Sequence, residues 1–123
     1  MAAIFKDALS PLGFELARVS DDGVQFESAM VRFEANYVPR DGELAVYVIP
    51  HESGERLQLL MYLRSIKSST ASKLGDAVAE SAAAALRIAE TYAAALHEAT
   101  TLLNGEASEL DRARTVRGWG APV

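Results

Sequence analysis

No cysteine occurs in the 123 residues, which removes disulfides, thiolate catalysis and cysteine-ligated zinc or iron–sulfur centres together and leaves the redox compartment open. Basic residues are also short, twelve against seventeen acidic ones, and the net charge of −5 argues against nucleic acid or an anionic membrane as a partner. A long uncharged apolar run is missing too. Lys6 and Asp7 interrupt the start where a signal peptide would be apolar, and Glu80, Arg87, Glu90 and Glu98 break the alanine-rich stretch at 77–99, short of the ~18 uncharged residues a spanning helix needs. The expected location is cytoplasmic, and the alanine-rich composition has a bacterial style. What is present, half apolar residues and 24% charged, is enough for one ordinary core, so residues 1–123 read as a single domain with a flexible tail from about 118.

The chain changes periodicity midway. Ile4, Phe5, Ala8, Leu9 and Leu12 recur at helical spacing and Gly13 is placed to stop that first helix. Phe14–Val19 then reads as a strand, and Asp21-Asp22-Gly23 as a tight turn. Val24, Phe26 and Ser28 alternate with Gln25 and Glu27. Val31, Phe33, Ala35 and Tyr37 alternate with Arg32, Glu34 and Asn36, giving strands with one wet face. A second reversal at Pro39–Glu43 leads to a more buried strand, Leu44–Ile49, ended by Pro50. Residues 57–63 fit a strand or a helix, and a fifth strand is preferred. Ser65–Lys73 reads as a linker.

From Asp76, a candidate N-cap, to Leu103 the apolar positions Val78, Ala82, Ala85, Ala89, Tyr92, Leu96, Ala99 and Leu103 follow helical steps, with Asn104-Gly105 as the stop. A short last helix, Glu106–Arg117, turns Leu110 and Ala113 inward. The expected fold class is α+β: a short N-terminal helix, an antiparallel meander of four to five strands, a long alanine-rich helix packed on one sheet face and a short final helix.

The chemistry-bearing residues do not assemble into a catalytic pattern. His51 sits in a loop and His97 borders the helix stripe, at spacings that match no metal motif; both read as ordinary packing or solvated residues. Thr70-Ala-Ser-Lys73 only faintly echoes a Ser-x-x-Lys nucleophile, and the scattered glycines form no phosphate-cradling loop. Catalytic residues, metal ligands and cofactors are accordingly expected to be none.

The charge distribution is more informative. Ten acidic and six basic residues lie in 1–64, against seven and six in 65–123, so the negative charge belongs to the strand-rich half. Glu27 and Glu34 are expected on the wet sheet face, with Asp21, Asp22, Asp41, Glu43, Glu52 and Glu55 in the loops. Charges in such places ordinarily keep sheet edges from pairing with other chains; they also suit an acidic docking surface. Trp119, the single tryptophan, either folds back onto the core or anchors a partner.

With its small size, its acidity, the Gly13-Phe14 entry into a hairpin-rich half and a helical half that runs to Leu102-Leu103-Asn104-Gly105, the chain resembles small bacterial immunity-type proteins and, in the same overall pattern, secretion-chaperone-like adaptors. The resemblance implies a non-enzymatic protein-binding module whose acidic side chains cover a basic surface on a toxin or effector. The expected partner-binding residues are Glu27, Glu34, Asp41, Glu43 and Trp119, joined by Tyr47 and Tyr62 if these face outward. Two alternatives stand beside it: a small-molecule binder or cofactor-free enzyme with a cavity between sheet and helix, using His51, Tyr37 or Tyr92, and a structural homodimer or homo-oligomer joined by the alanine-faced helix or a sheet edge.

Overall fold

The computed structural model describes residues 1–38, 40, 42–75 and 78–117. Helix α1 (Ala2–Leu9) turns Phe5 and Leu9 inward, and a 3-10 turn over Ser10–Leu12 ends at Gly13. That glycine has a φ of 87°, a left-handed conformation it adopts without the steric cost a Cβ would add. Strands β1 (Glu15–Val19), β2 (Gly23–Glu27), β3 (Val31–Val38), β4 (Glu43–Pro50) and β5 (Leu57–Gln58) then form one antiparallel sheet in sequence order. The α+β arrangement expected from the periodicities is the one the chain adopts.

Three boundaries differ from expectation. The segment 57–63 is a strand only at Leu57–Gln58 and then becomes helix α2 (Leu59–Ser65). Leu59, Leu60, Tyr62 and Leu63 are all buried. Strand alternation would have sent Leu60 and Tyr62 to the opposite face from Leu59 and Leu63, whereas a helix keeps all four on the core side. The expected linker holds a further short helix, α3 (Ser69–Leu74), capped by Ser68, whose hydroxyl accepts the Thr70 amide at 3.1 Å.

The long helix also begins later. Helix α4 (Ala82–Ala95) continues through a 3-10 turn at Leu96–Ala99 into α5 (Thr100–Leu103), and its N-cap is Ser81, which accepts the Ala84 amide at 3.1 Å. Asp76 lies outside the described residues. Val78, expected on the helix stripe, instead bridges Glu43, and the Ala79 amide donates to the Gly42 carbonyl, so this stretch extends the β4 edge. From Ala85 onward the stripe is as expected: Ala85, Ala89, Tyr92, Leu96, Ala99 and Leu103 are buried. Helix α6 (Ala107–Arg117) buries Leu110 and Ala113, and the expected tail from 118 lies outside the described residues.

The core occupies one side of the sheet. Val24 and Phe26, Val31, Phe33 and Ala35, Leu44, Val46 and Val48, and Leu57 form one cluster with the buried side chains of the helices. Phe33 is at its centre, 5.1 Å from the Phe5 ring and 6.5 Å from that of Phe26. Small alanines along α4 let its backbone approach β4 closely, and the opposite face of the sheet carries none of this cluster.

Candidate docking surface on the outer sheet face

Antiparallel register places residues of five separate strands in rows on the outer face. One row runs Arg18, Gln25, Glu34, Tyr47, Gln58 from β1 to β5, and the next runs Glu15, Glu27, Arg32, Ile49. Directly opposed side chains on one face lie close enough to interact, and two of these pairs do so, Arg32 with Glu27 and Gln25 with Glu34. Arg32 reaches across to Glu27, with its Nε 3.0 Å and its Nη2 2.9 Å from the same carboxylate oxygen. Gln25 donates its amide to Glu34 Oε1 at 3.1 Å, while Arg56 donates to Glu34 Oε2 at 3.0 Å. The Arg56 guanidinium also lies 4.4 Å from the centroid of the Tyr47 ring.

Glu34 is the centre of this arrangement. Its side chain is only 8% exposed, although among the described residues no helix covers it. Taking a carboxylate out of water costs several kcal/mol unless cations and donors replace the lost solvent. Here Arg56 and Gln25 do so at hydrogen-bond distance and Arg32 adds its charge from 3.9 Å. The consequence for recognition is a correction: Glu34 does not project into water, and Glu27 and Glu34 do not form a free negative patch. Two arginines offset two glutamates at the middle of the face.

The other expected contact residues are scattered. Tyr47 belongs to this face and is half-buried under Arg56. Tyr62 does not face outward: it is 2% exposed in α2, because its ring fills the core and its hydroxyl donates to Glu109 Oε2 at 2.6 Å. Burial, reinforced by that hydrogen bond and the charge of Glu109, pushes its phenol above the usual tyrosine range. Glu43 is exposed at the start of β4, at the same end of the sheet as Asp21 and Asp22. Asp41 and Trp119 lie outside the described residues.

Arg32, Arg56 and Gln25 were not among the residues singled out from sequence. The first had a legible signal, since Glu27 and Arg32 flank a short turn and must oppose each other once the hairpin closes. Arg56 had none; it enters from the loop between β4 and β5 and lies over Tyr47.

No family model, curated protein or solved structure matches this chain.

The remaining candidates have smaller roles. His51 Nε2 lies 3.0 Å from the Ser28 carbonyl and His97 Nδ1 2.6 Å from that of Ala94, contacts that brace local turns. Ser68 and Thr70 both donate to Glu98 Oε2 at 3.0 Å, tying α3 to the long helix. A cavity at the β4 edge, lined by Leu44, Ala45, Val46, Gln58, Leu60 and Tyr92, measures about 20 Å³, room for a water rather than a metabolite. Among the described residues no three metal-ligating side chains converge, and no helix is long and apolar enough to cross a membrane.

Proposed function

We propose that the protein is a stoichiometric protein-binding module that docks its partner on the outer face of the sheet. The observation that carries this reading is the ordered stack of Tyr47 and Arg56 on Glu34. Aromatic and arginine side chains dominate the energetics of protein interfaces, and a pair held in place before contact loses little side-chain entropy on binding. Among the described residues the face is bare of helices, and towards β1 it carries a depression of about 200 Å³ lined by Arg18, Gly23, Gln25 and Asn36.

The partner is basic in this reading. The central charges neutralise one another, so Asp21, Asp22 and Glu43 at one end of the face, and Glu52 beyond the other, are the carboxylates that meet its cations. Immunity-type and secretion-chaperone-like proteins, to which the sequence bears a resemblance, work in this way, by contact and without turnover.

The test is affinity capture with the intact chain, followed by titration of the purified captured protein. A one-to-one complex that weakens at least tenfold in Arg56→Ala and Tyr47→Ala, weakens with rising salt and is unchanged in Arg87→Ala supports the proposal. Recovery of a bound metabolite with no stoichiometric protein, or a complex indifferent to both outer-face substitutions, overturns it.

A further inference from the structure

Strand β1 ends the sheet, and all five of its residues are exposed, including the apolar side chains of Leu16 (46%) and Val19 (58%). An edge strand with apolar residues and unpaired backbone groups is a template for another strand. Which strand fits is set by the bulge between Leu16 and Arg18. By their partners in β2, Glu15 and Arg18 share the outer face, Leu16 and Val19 share the inner face, and Ala17 is the extra residue.

For two identical strands pairing antiparallel, opposed residues must lie on the same face, and this leaves two registers that use most of the strand. One centres on Arg18 and sets that arginine against itself. The other centres on Leu16, sets Leu16 against Leu16 and brings Glu15 opposite Arg18 twice. Like charges directly opposed destabilise a pair and opposite charges stabilise it, so the second register is selected. It also supplies a countercharge to Glu15, which within its own sheet faces Glu27.

We infer that β1 is the contact between two copies of this chain. The two sheets join edge to edge around a two-fold axis at Leu16, with Glu15 of each copy facing Arg18 of the partner subunit and the two Leu16 side chains covering each other. Glu15 and Arg18 also lie on the outer face, and Arg18 lines its depression, but the pairing uses the free edge of β1 and not the stack of Tyr47 and Arg56, so Tyr47→Ala and Arg56→Ala should leave the dimer intact. Five residues per edge make a small interface, and association is expected only at about 10 µM to 1 mM protein.

The test is sedimentation equilibrium across that range. The intact chain should shift from monomer toward dimer, Arg18→Glu should stay monomeric, and the double exchange Glu15→Arg with Arg18→Glu should recover the dimer. Because the chain has no cysteine, Leu16→Cys introduces a single thiol that should oxidise to a disulfide-linked dimer, while Val19→Cys should not. A monomer at every concentration, a dimer in Arg18→Glu, or failure of the double exchange to recover association overturns the inference. Since β1 is exposed, melting temperatures of the variants should stay near that of the intact chain; a variant that loses its melting transition places β1 in the core and overturns it as well.

Discussion

Phe33 and Glu34 are neighbours in β3 and almost equally hidden from water, at 0% and 6% exposure, yet they are hidden by opposite means. Phe33 is covered by helices that bring apolar surface from elsewhere in the chain. Glu34 is covered by side chains of its own sheet and one loop arginine, which lie down over it because they are attracted to its charge. One face is thus closed by the hydrophobic effect, and the other by polar side chains whose outer surfaces remain available. The comparison teaches that low exposure alone does not mark a core residue; the chemistry of the cover decides whether a face is finished or can still accept a partner.

The strongest way to break the contrast is to empty the apolar side. Phe33→Ala should lose about 3–5 kcal/mol in chemical denaturation, because it removes the ring that Phe5 and Phe26 pack against and leaves a cavity. Glu34→Ala should cost less, about 1–3 kcal/mol, since Arg56 is half in water already and can be solvated when its carboxylate is gone. The same variant should free Arg56 from Tyr47, visible as increased mobility of the guanidinium in NMR relaxation. A cost equal to that of Phe33→Ala would mean that the two faces close by the same means after all.

Tyr62→Phe should cost about 1 kcal/mol by removing the hydrogen bond that ties α2 to α6. The two buried tyrosines also predict the alkaline limit of the fold. Burial raises the phenols of Tyr62 and Tyr92 above the ordinary tyrosine value of 10.0, so the unfolded chain ionises first and binds fewer protons than the native one. Their contribution is full below pH 10 and is lost as pH rises through the folded values. Melting temperature should therefore fall above pH 10 in the intact chain and fall less steeply in Tyr92→Phe. Smallest of all, Arg32→Ala should change stability by about 0.2–1 kcal/mol, because its pair with Glu27 is partly exposed and screened by salt.

The apolar face was legible in the sequence to a degree that the polar face was not. Alternation through Val24, Phe26, Val31 and Phe33 and the helical stripe from Ala85 to Leu103 are local patterns, and each names its own buried side. The same rules misjudged Leu59–Leu63, where a short apolar run carries both periods, and the start of the long helix, where Val78 continues the stripe but its backbone goes to β4. On the polar face, alternation correctly put Glu27 and Glu34 opposite the core yet could not say whether they were free. That depends on Arg56, which is distant in sequence and reaches Glu34 only through the return of the chain after Pro50. Expectations about charge fail where the countercharge arrives from a loop.

The alanines at positions 85, 89, 95 and 99 fix the distance at which the long helix rides over its bed. Each ends in a methyl group where almost any other residue would extend further, so the spacing between the helix and its neighbours α1, α3 and β4 is set by its smallest members. An enlargement at Ala89, which is fully buried, must displace side chains packed against the helix. The cover is therefore free to vary along its solvent side and nearly forbidden to grow along its underside, an asymmetry that a survey of tolerated substitutions at these four positions would register as a strict ceiling on volume.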